Sequence, residues 1–439
     1  MLSVITNPLI VSVIVLVVLC LLKINVFLSM IVSSILCAVL GGASVVDGLA
    51  LFCNNMGNDN RMVLFLLLLG VLASAMEYNN LGEVLAPRVA RVVGKKIWLF
   101  PVVVFLLAVI SETFVLVGVS FLLILVPPLL RLLIDYKIDR RLLVIATCCG
   151  LQVGYGCVPV GYGLGFMGII QNALAENGLE VTIDQIWRAN LVMAIALVIA
   201  FVLAYIRYRK PRDYAADQES LREEKGDENA PLPPVKFEHW ACLIAGLCVI
   251  VMQLLTSSMP LAALVMVAVL VATGAVKPKD FEKIFMKGIM GSVYVCLVLM
   301  TSVGFAAVSK EYGDISGLIE ASSALVGGSK FLGAVFMLLL GLLITMGIGS
   351  SFATIPVVAT ILVPLGLNLN MSTASIIMLV AAAGALGDSG SPASNQTLIP
   401  TSAFNIDGQH DHIRDSCIPS FIFVNIPLIV VCAIAAIFM

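Results

Sequence analysis

The chain has few charged residues and no excess of either sign. Only 12% of its 439 residues are Asp, Glu, Lys or Arg, and the formal net charge is −2 at pH 7. Soluble domains carry about 25% charged residues, so this composition excludes an ordinary water-soluble domain. The absence of a basic excess also excludes the positively charged surface that a nucleic-acid partner requires.

The chain also lacks the motifs of ATP-driven pumps and of common enzymes. No P-loop or nucleophile elbow occurs in the sequence. Its eleven cysteines are odd in number and scattered mostly through apolar runs, which favours small buried hydrophobic residues over a disulfide framework. We therefore expect a protein that is not an enzyme and that uses no cofactor.

Apolar sequence is what the chain has in abundance. Hydrophobic residues make up 60% of it, and the mean hydropathy is +1.08. A lipid bilayer requires about 20 apolar residues per helix. Uncharged runs near this length lie at 1–22, 24–46, 62–76, 189–206, 288–309 and 417–439, and the run 240–276 suits two helices with a turn at 257–260. The first run has no basic flank or cleavage site, so we expect a retained span. These runs predict an all-α polytopic membrane protein.

Three further apolar stretches are interrupted. The stretch 97–130 is broken by Ser111-Glu112-Thr113, and the stretch 142–175 contains Pro159 and seven glycines. The stretch 331–387 has an arm to 343, a polar patch at 345–351, a second arm to 364 and a helix that stops at a Gly- and Ser-rich segment. We expect half-membrane helices that meet polar loops, arranged as two re-entrant hairpins and two broken helices.

These features recur in the same order 234 residues apart. Tyr78 and Gly150, for example, match Tyr312 and Gly384. The recurrence predicts a tandem duplication, with one membrane repeat over 1–207, a charged cytoplasmic linker over 208–238 and a second repeat over 239–439. Five spans per repeat is an odd number, so the second repeat is inverted and the total is about ten spans.

The basic residues orient this topology, because cytoplasmic loops hold the excess of Lys and Arg. With both termini outside, all but four of the 25 Lys and Arg residues fall on the inner side. The four exceptions are Arg61, Arg188, Lys310 and Lys330. We expect a multi-pass protein of a bacterial inner membrane with both termini outside.

The interrupted stretches carry the residues best suited to binding. Non-helical backbone at membrane depth, paired across an inverted repeat, indicates the midplane site of a secondary transporter. A channel with a re-entrant filter is the alternative. The predicted ion- and substrate-binding residues are Ser111, Glu112, Thr113, Tyr155, Pro159, Ser350, Ser351, Asp388, Ser389, Ser391, Ser394 and Asn395, with Glu112 and Asp388 as candidate Na+ ligands or proton carriers.

Each carboxylate also has a structural explanation. Glu112 could cap the helix that follows it, and Asp388 could lie in an ordinary turn. A charge at the bilayer centre costs at least about 2.5 kcal/mol, and 57 uncharged residues precede Asp388, which favours function for both. The segment His410-Asp411-His412 favours a structural or gating loop over a metal site, because no further ligand cluster accompanies it.

The segment 387–392, GDSGSP, is similar to the Gly-Asp-x-x-Ser-Pro element of sodium/proton antiporters, with Asp388, Ser391 and Pro392 at the motif positions. Ser111-Glu112-Thr113 resembles the Ser-x-Thr tips of the wider ion-transporter superfamily. The chain thus resembles the NhaC-like sodium/proton antiporter family, in its branch of histidine-like amino-acid transporters. The resemblance implies a scaffold domain, a moving transport domain, elevator-type alternation and a homodimer. Antiporters often carry another acidic residue after Ser-Pro, whereas this chain continues Ala393-Ser394-Asn395.

The residues and the resemblance together predict a secondary active transporter in the lipid bilayer. It would couple Na+ or H+ movement to the transport of a small polar solute, with an amino acid as the favoured class. A Na+/H+ antiporter with no organic substrate is the alternative, and symport and exchange both stay open.

Overall fold

The structure is a computed structural model. It describes residues 6–22, 24–58, 60–81, 84, 88, 97–114, 118, 122, 126, 133–134, 136–214, 232–256, 258–318, 320, 327–392 and 394–439. All regular secondary structure in these residues is helical.

The helices follow the apolar runs. The first half contains α1 (Pro8–Leu21), α2 (Val26–Leu40), α3 (Val45–Asn55), α4 (Asn60–Tyr78), α5 (Phe100–Thr113), α6 (Arg140–Cys157), α7 (Tyr162–Glu176) and α8 (Ile183–Tyr208). The second half contains α9 (Phe237–Thr256), α10 (Met259–Ala272), α11 (Phe281–Tyr312), α12 (Lys330–Ile348), α13 (Ser351–Asn368), α14 (Thr373–Ala385), α15 (Asn395–Phe404) and α16 (His412–Phe438). Two stretches of α16 are π-helical.

Polar caps set many of the helix starts. The Asn7 side chain accepts hydrogen bonds from the first backbone amides of α1, and Thr182 forms a capping box with Gln185 at the start of α8. At the start of α15 the Ser394 side chain likewise accepts a hydrogen bond from a backbone amide, that of Gln396. Because each cap satisfies amides that have no partner within the helix, the short polar segments between apolar runs also fix where the helices begin.

Helix length and hydropathy identify a multi-pass membrane protein. Within the described residues, α4, α8, α11, α12, α13 and α16 are each long and apolar enough to cross a membrane, and α6 with α7 could form one further bent span. Shorter apolar helices are α1, α2, α5, α9, α10 and α14. The predicted all-α membrane fold is confirmed. The ten spans, the inverted repeats, the repeat and linker boundaries and the orientation stay predictions.

The interior is built around α6 and α14, whose residues are almost all buried. The helix α6 packs against α5 and α8, and α14 is surrounded by α8, α12, α13 and α16. Glycine permits a close approach elsewhere: a Cβ added at Gly70 of α4 would lie 2.3 Å from the carbonyl oxygen of Gly288 in α11. The helices α8 and α9 expose rows of large apolar side chains, as expected of a surface that faces lipid.

Several predicted helix breaks are confirmed. The helices α6 and α7 are bent by 57° at residues 158–161. The helix α12 ends at Gly349, whose φ of +70° suits glycine, and α13 begins two residues later. The helix α14 ends before the non-helical residues 386–392 and 394, which we call the Asp388 loop. The helix α9 ends at Thr256 and α10 begins at Met259, which confirms the predicted division of the run 240–276 into two helices.

Ser111, Glu112 and Thr113 form the last turn of α5, which ends at Thr113, and the Ser111 and Thr113 hydroxyls donate to the carbonyl oxygens of Ala108 and Val109 in the same helix. Most of 115–130, including the residues that Glu112 would cap, lies outside the described residues. One detail differs from the prediction: the run 24–46 does not form one helix, since α2 ends at Leu40 and a separate α3 follows.

Candidate ion and substrate site

Asp388 lies in the Asp388 loop between α14 and α15 and is only 7% exposed. Its Oδ2 accepts hydrogen bonds from Ser351 Oγ at 2.6 Å and from Gln396 Nε2 at 3.0 Å. Its Oδ1 accepts a hydrogen bond from Ser394 Oγ. The carboxylate thus connects the Asp388 loop to the first residues of both α13 and α15.

The directions of the hydrogen bonds follow from their chemistry. Because Ser351 donates its proton to Asp388, the Tyr155 hydroxyl, 2.8 Å away, donates to Ser351. On the other side, Ser389 donates to Gln396 Oε1 at 3.0 Å, and Gln396 in turn donates to Asp388. Donors thus converge on the carboxylate, and this arrangement fits its ionised form.

The Asp388 loop is held on two sides. Asn425 of α16 donates to the carbonyl oxygen of Ser389 at 2.7 Å and accepts from the Gly387 amide at 3.3 Å. Ser391 donates to the carbonyl oxygen of Met346 in α12 at 3.1 Å. Gly390 has a φ of +105°, and an added Cβ there would lie 2.7 Å from Phe421 Cβ. These contacts fix the loop between α12 and α16.

Three aromatic rings pack beside the carboxylate. The Tyr155 ring contacts Phe166 and Phe352 at centroid distances of 5.0 and 5.7 Å, and those two rings are 5.3 Å apart. They come from α6, α7 and α13. Pro159 and Ser350, in the two helix breaks, are partly exposed, and so is Phe352. The site therefore combines a carboxylate with apolar ring surface next to two breaks in the helices.

Glu112 contacts α6 from another side. It is buried at the end of α5, and a Cβ added at Gly154 of α6 would lie 2.7 Å from Glu112 Cβ. Gly150, one turn earlier, lies equally close to the α5 backbone. The glycine face of α6 thus meets Glu112, whereas Gln152 and Tyr155 of the same helix face the Asp388 network.

The other predicted site residues divide into two groups. Tyr155, Ser351, Ser389 and Ser394 join the hydrogen-bond network around Asp388. The remaining ones lie apart from the carboxylate: Ser391 bonds to α12, Ser111 and Thr113 bond within α5, Asn395 is exposed, and Pro159 and Ser350 lie at the breaks. The roles of all these residues stay predictions.

Sequence reasoning missed three amide side chains of this network. Gln152 donates to Ser389 Oγ at 2.9 Å and to the carbonyl oxygen of Ala385 at 3.1 Å, while Gln396 and Asn425 make the bonds described above. Each of these amides lies in an apolar or uncharged stretch of sequence, and a buried amide requires a hydrogen-bond partner. The presence of an amide side chain in such a stretch was the signal that could have identified these residues.

A second polar cluster lies where α15 approaches the start of α6. The Arg140 guanidinium donates to both carboxylate oxygens of Asp407, at 2.7 and 2.6 Å, and to the carbonyl oxygen of Phe404 at 2.7 Å. His410 is buried, and burial lowers its pKa to about 4. His412 Nε2 lies 3.0 Å from the carbonyl oxygen of Pro392 and must donate to it, since that oxygen only accepts. The segment 410–412 thus contacts the Asp388 loop.

The described residues contain no group of three or more His, Cys, Asp or Glu side chains placed to hold a metal ion. Asp388 instead lies among hydroxyl and amide groups, whereas Glu112 packs against Gly154 of α6. Carboxylate, hydroxyl and amide oxygens are ligands that hard cations prefer.

The structure is that of a multi-pass membrane protein built from interrupted helices. A comparison with known protein families identifies the family: the chain belongs to the Na+/H+ antiporter family, which it matches over residues 146–436. Residues 7–93 match a second Na+-H+ antiporter family. The resemblance inferred from the sequence is confirmed.

Relatives of similar length support the assignment. The chain is 37% identical to an uncharacterized membrane protein of Vibrio parahaemolyticus, over 98% of this chain and 99% of the relative. It is 34% identical to a Bacillus subtilis protein named "Putative amino acid transporter YuiF", over 88% and 89% of the two chains.

Solved structures share the fold at low sequence identity. MtrF of Neisseria gonorrhoeae, described as illuminating a class of antimetabolite efflux pumps, has a TM-score of 0.63 at 15% identity and 94% coverage of both chains. The YdaH transporter of Alcanivorax borkumensis has a TM-score of 0.59 at 14% identity, with 89% of this chain and 87% of that chain covered.

Proposed function

We propose that this protein is a secondary active transporter that couples the movement of Na+ or H+ to the transport of a small polar solute, with an amino acid as the favoured class. In this proposal it works as a homodimer in a bacterial inner membrane, with both termini outside, and uses no cofactor besides the coupling ion. It moves its solute without converting it chemically.

One observation carries the proposal: a single buried carboxylate joins separate helical segments. Asp388 accepts from Ser351 of α13 and from Ser394 and Gln396 around the start of α15, and Tyr155 of α6 reaches it through Ser351. A bound cation competes with these donors for the carboxylate oxygens, and a proton removes one acceptor position. Either event changes the contacts of all these helices together, which couples ion occupancy to conformation.

The coupling ion supplies the free energy. Each elementary charge that moves down a potential of 100 mV provides about 2.3 kcal/mol, enough for a solute gradient of roughly 50-fold. Asp388 is the primary ion site in this proposal. Glu112 of α5, buried against the helix α6 that carries Tyr155, is a second carboxylate for Na+ or H+.

Two observations favour an organic solute over ion exchange alone. The ring cluster of Tyr155, Phe166 and Phe352 provides apolar surface that a bare ion does not require. The name of the relative YuiF also mentions amino acid transport. Membership of the Na+/H+ antiporter family favours the alternative, a Na+/H+ antiporter with no organic substrate.

Reconstitution into proteoliposomes tests the proposal. The uptake of a panel of radiolabelled amino acids is measured with and without an inward Na+ gradient, and a pH-sensitive dye inside the vesicles reports proton movement. The variant is Asp388→Asn, which keeps the shape but removes the charge. The matched control is Asp184→Asn, the same change at an exposed residue of α8.

We expect gradient-driven accumulation of at least one amino acid by the wild type and by Asp184→Asn, and a loss of at least about tenfold in Asp388→Asn, since a cation loses its charged ligand. Proton movement driven by Na+ with no amino-acid uptake would establish the antiporter alternative instead. Full transport by Asp388→Asn would remove Asp388 from the ion site.

A further inference from the structure

Gln152 of α6 is fully buried, and its amide orientation is fixed by its neighbours. The carbonyl oxygen of Ala385, 3.1 Å from Gln152 Nε2, can only accept a hydrogen bond. Ser389 Oγ, 2.9 Å away, already donates its proton to Gln396, so it too accepts. The amide nitrogen must therefore point at both of them, and the Oε1 atom must point away.

That oxygen has no hydrogen-bond partner within the described part of the chain. Leaving a buried acceptor unsatisfied costs about 1–3 kcal/mol, so such groups need a reason. The described donors of this network do not reach it: Gln396 Nε2 and Ser351 Oγ donate to Asp388 and not to Gln152 Oε1. The missing partner must therefore come from outside this network.

The chemistry of the surroundings favours a cation as that partner. Gln152 is linked to the Asp388 carboxylate by a continuous chain through Ser389 and Gln396. A side-chain amide oxygen is a ligand that hard cations accept, and it also accepts hydrogen bonds from an ammonium group. A water molecule would also satisfy Oε1, but the negative charge of Asp388 attracts a positively charged group more strongly than a neutral donor, and an anion could not donate to Oε1.

We propose that Gln152 Oε1 is a cation ligand of the Asp388 site, occupied by Na+ or by the ammonium group of the solute. This assignment rests on the proposed transport function and adds to it a residue that sets affinity for the positively charged species. Its Nε2 orients the amide through α14 and Ser389, so the oxygen is held in place before the cation arrives.

The test uses purified full-length protein. Binding of radioactive Na+ is measured in detergent, and the Na+ and amino-acid dependence of uptake is measured in proteoliposomes. The variant Gln152→Met keeps the length of the side chain and removes the oxygen, whereas Gln152→Glu keeps an oxygen there. Gln253→Met is the matched control: Gln253 in α9 also has an unpartnered Oε1 among the described residues, but it lies outside the Asp388 network.

For Gln152→Met we expect the half-saturating concentration of the cation to rise about tenfold, with a maximal rate within about threefold of the wild type. A tenfold rise corresponds to about 1.4 kcal/mol, in the range for one lost ligand. Gln152→Glu and Gln253→Met should stay within about threefold of the wild type or bind more tightly. A shift confined to Na+ identifies Na+ as the occupant, and a shift confined to the amino acid identifies its ammonium group.

Unchanged constants for both species in Gln152→Met, with an active wild type, would overturn this assignment and leave the proposed function intact. A wild type that neither binds Na+ nor transports anything would overturn the proposed function, and this assignment with it. Should Gln152→Met fail to fold, Gln152→Asn withdraws the same oxygen by one methylene and should show the same rise.

Discussion

Breaking the buried ion pair between Arg140 and Asp407 should destabilise the protein strongly. The two side chains are 0% and 2% exposed, and two short hydrogen bonds join them. Asp407→Asn preserves size but leaves the guanidinium without its counter-charge. Removal of one partner from a buried pair costs about 3–5 kcal/mol. For a chain of this length the apparent melting temperature should therefore fall by about 3–5 °C.

The cysteines provide the assay. All described cysteines except Cys53 and Cys248 are buried, so a thiol-reactive fluorescent dye reports unfolding in detergent. A Cys53→Ser background removes the early signal. The control is Asp184→Asn, which breaks the ion pair to Arg188, where both side chains are at least 60% exposed. Such exposed pairs contribute little, so we expect no measurable change.

Two results would refute this reasoning. Asp407→Asn could melt at the same temperature as Asp184→Asn, which would mean that the buried guanidinium finds another counter-charge or water. Alternatively, replacing both partners, with Arg140→Met and Asp407→Leu, could be as damaging as the single change. A double apolar replacement should instead recover stability, because it leaves no buried charge unpaired.

Three further predictions concern pH, packing and the site. Burial raises the pKa of Asp407, but the hydrogen bonds and charge of Arg140 lower it more, to below the ordinary 3.8. Its stabilising contribution is therefore present above that value and is lost as the pH falls through the lowered pKa, so the melting difference between wild type and Asp407→Asn should shrink below about pH 4. Gly154→Ala places a methyl group 2.7 Å from Glu112 Cβ and should destabilise the protein by about 1–3 kcal/mol in the dye assay; wild-type stability would contradict this close contact. Tyr155→Phe removes the hydrogen bond to Ser351 and should raise the half-saturating ion concentration in the flux assay by roughly fivefold, whereas an unchanged value would separate Tyr155 from the ion site.

Sequence reasoning identified the features that depend on local chemistry. The breaks around Pro159 and Gly349 were predictable because closely spaced glycines, alone or with a proline, disfavour a continuous helix. Asp388 stood out because it is a lone carboxylate after a long uncharged stretch. Ser351 and Ser394, which bond to Asp388, are short polar residues at helix starts, and that position is also visible in the sequence.

The remaining features depend on contacts that the sequence does not reveal. Gln152 and Ser389 are 237 residues apart, and only the folded chain brings them together. The sequence placed an interruption at Ser111-Glu112-Thr113, where α5 ends, but did not show that these residues still belong to the helix, because Ser111 and Thr113 hydroxyls can donate to carbonyl oxygens of their own helix. The helix α3 was missed because its apolar start continues the preceding run.

The Asp388 loop has a mechanical consequence. Asn425 and Ser391 tie it to α16 and α12, and the carboxylate itself is tied to α13. The loop therefore has almost no compliance of its own, since any displacement relative to these helices breaks several buried hydrogen bonds at once. We expect the carboxylate to move only together with α12, α13 and α16 as one rigid unit. The hinges of the transport cycle should therefore lie at the edge of that unit rather than at the ion site.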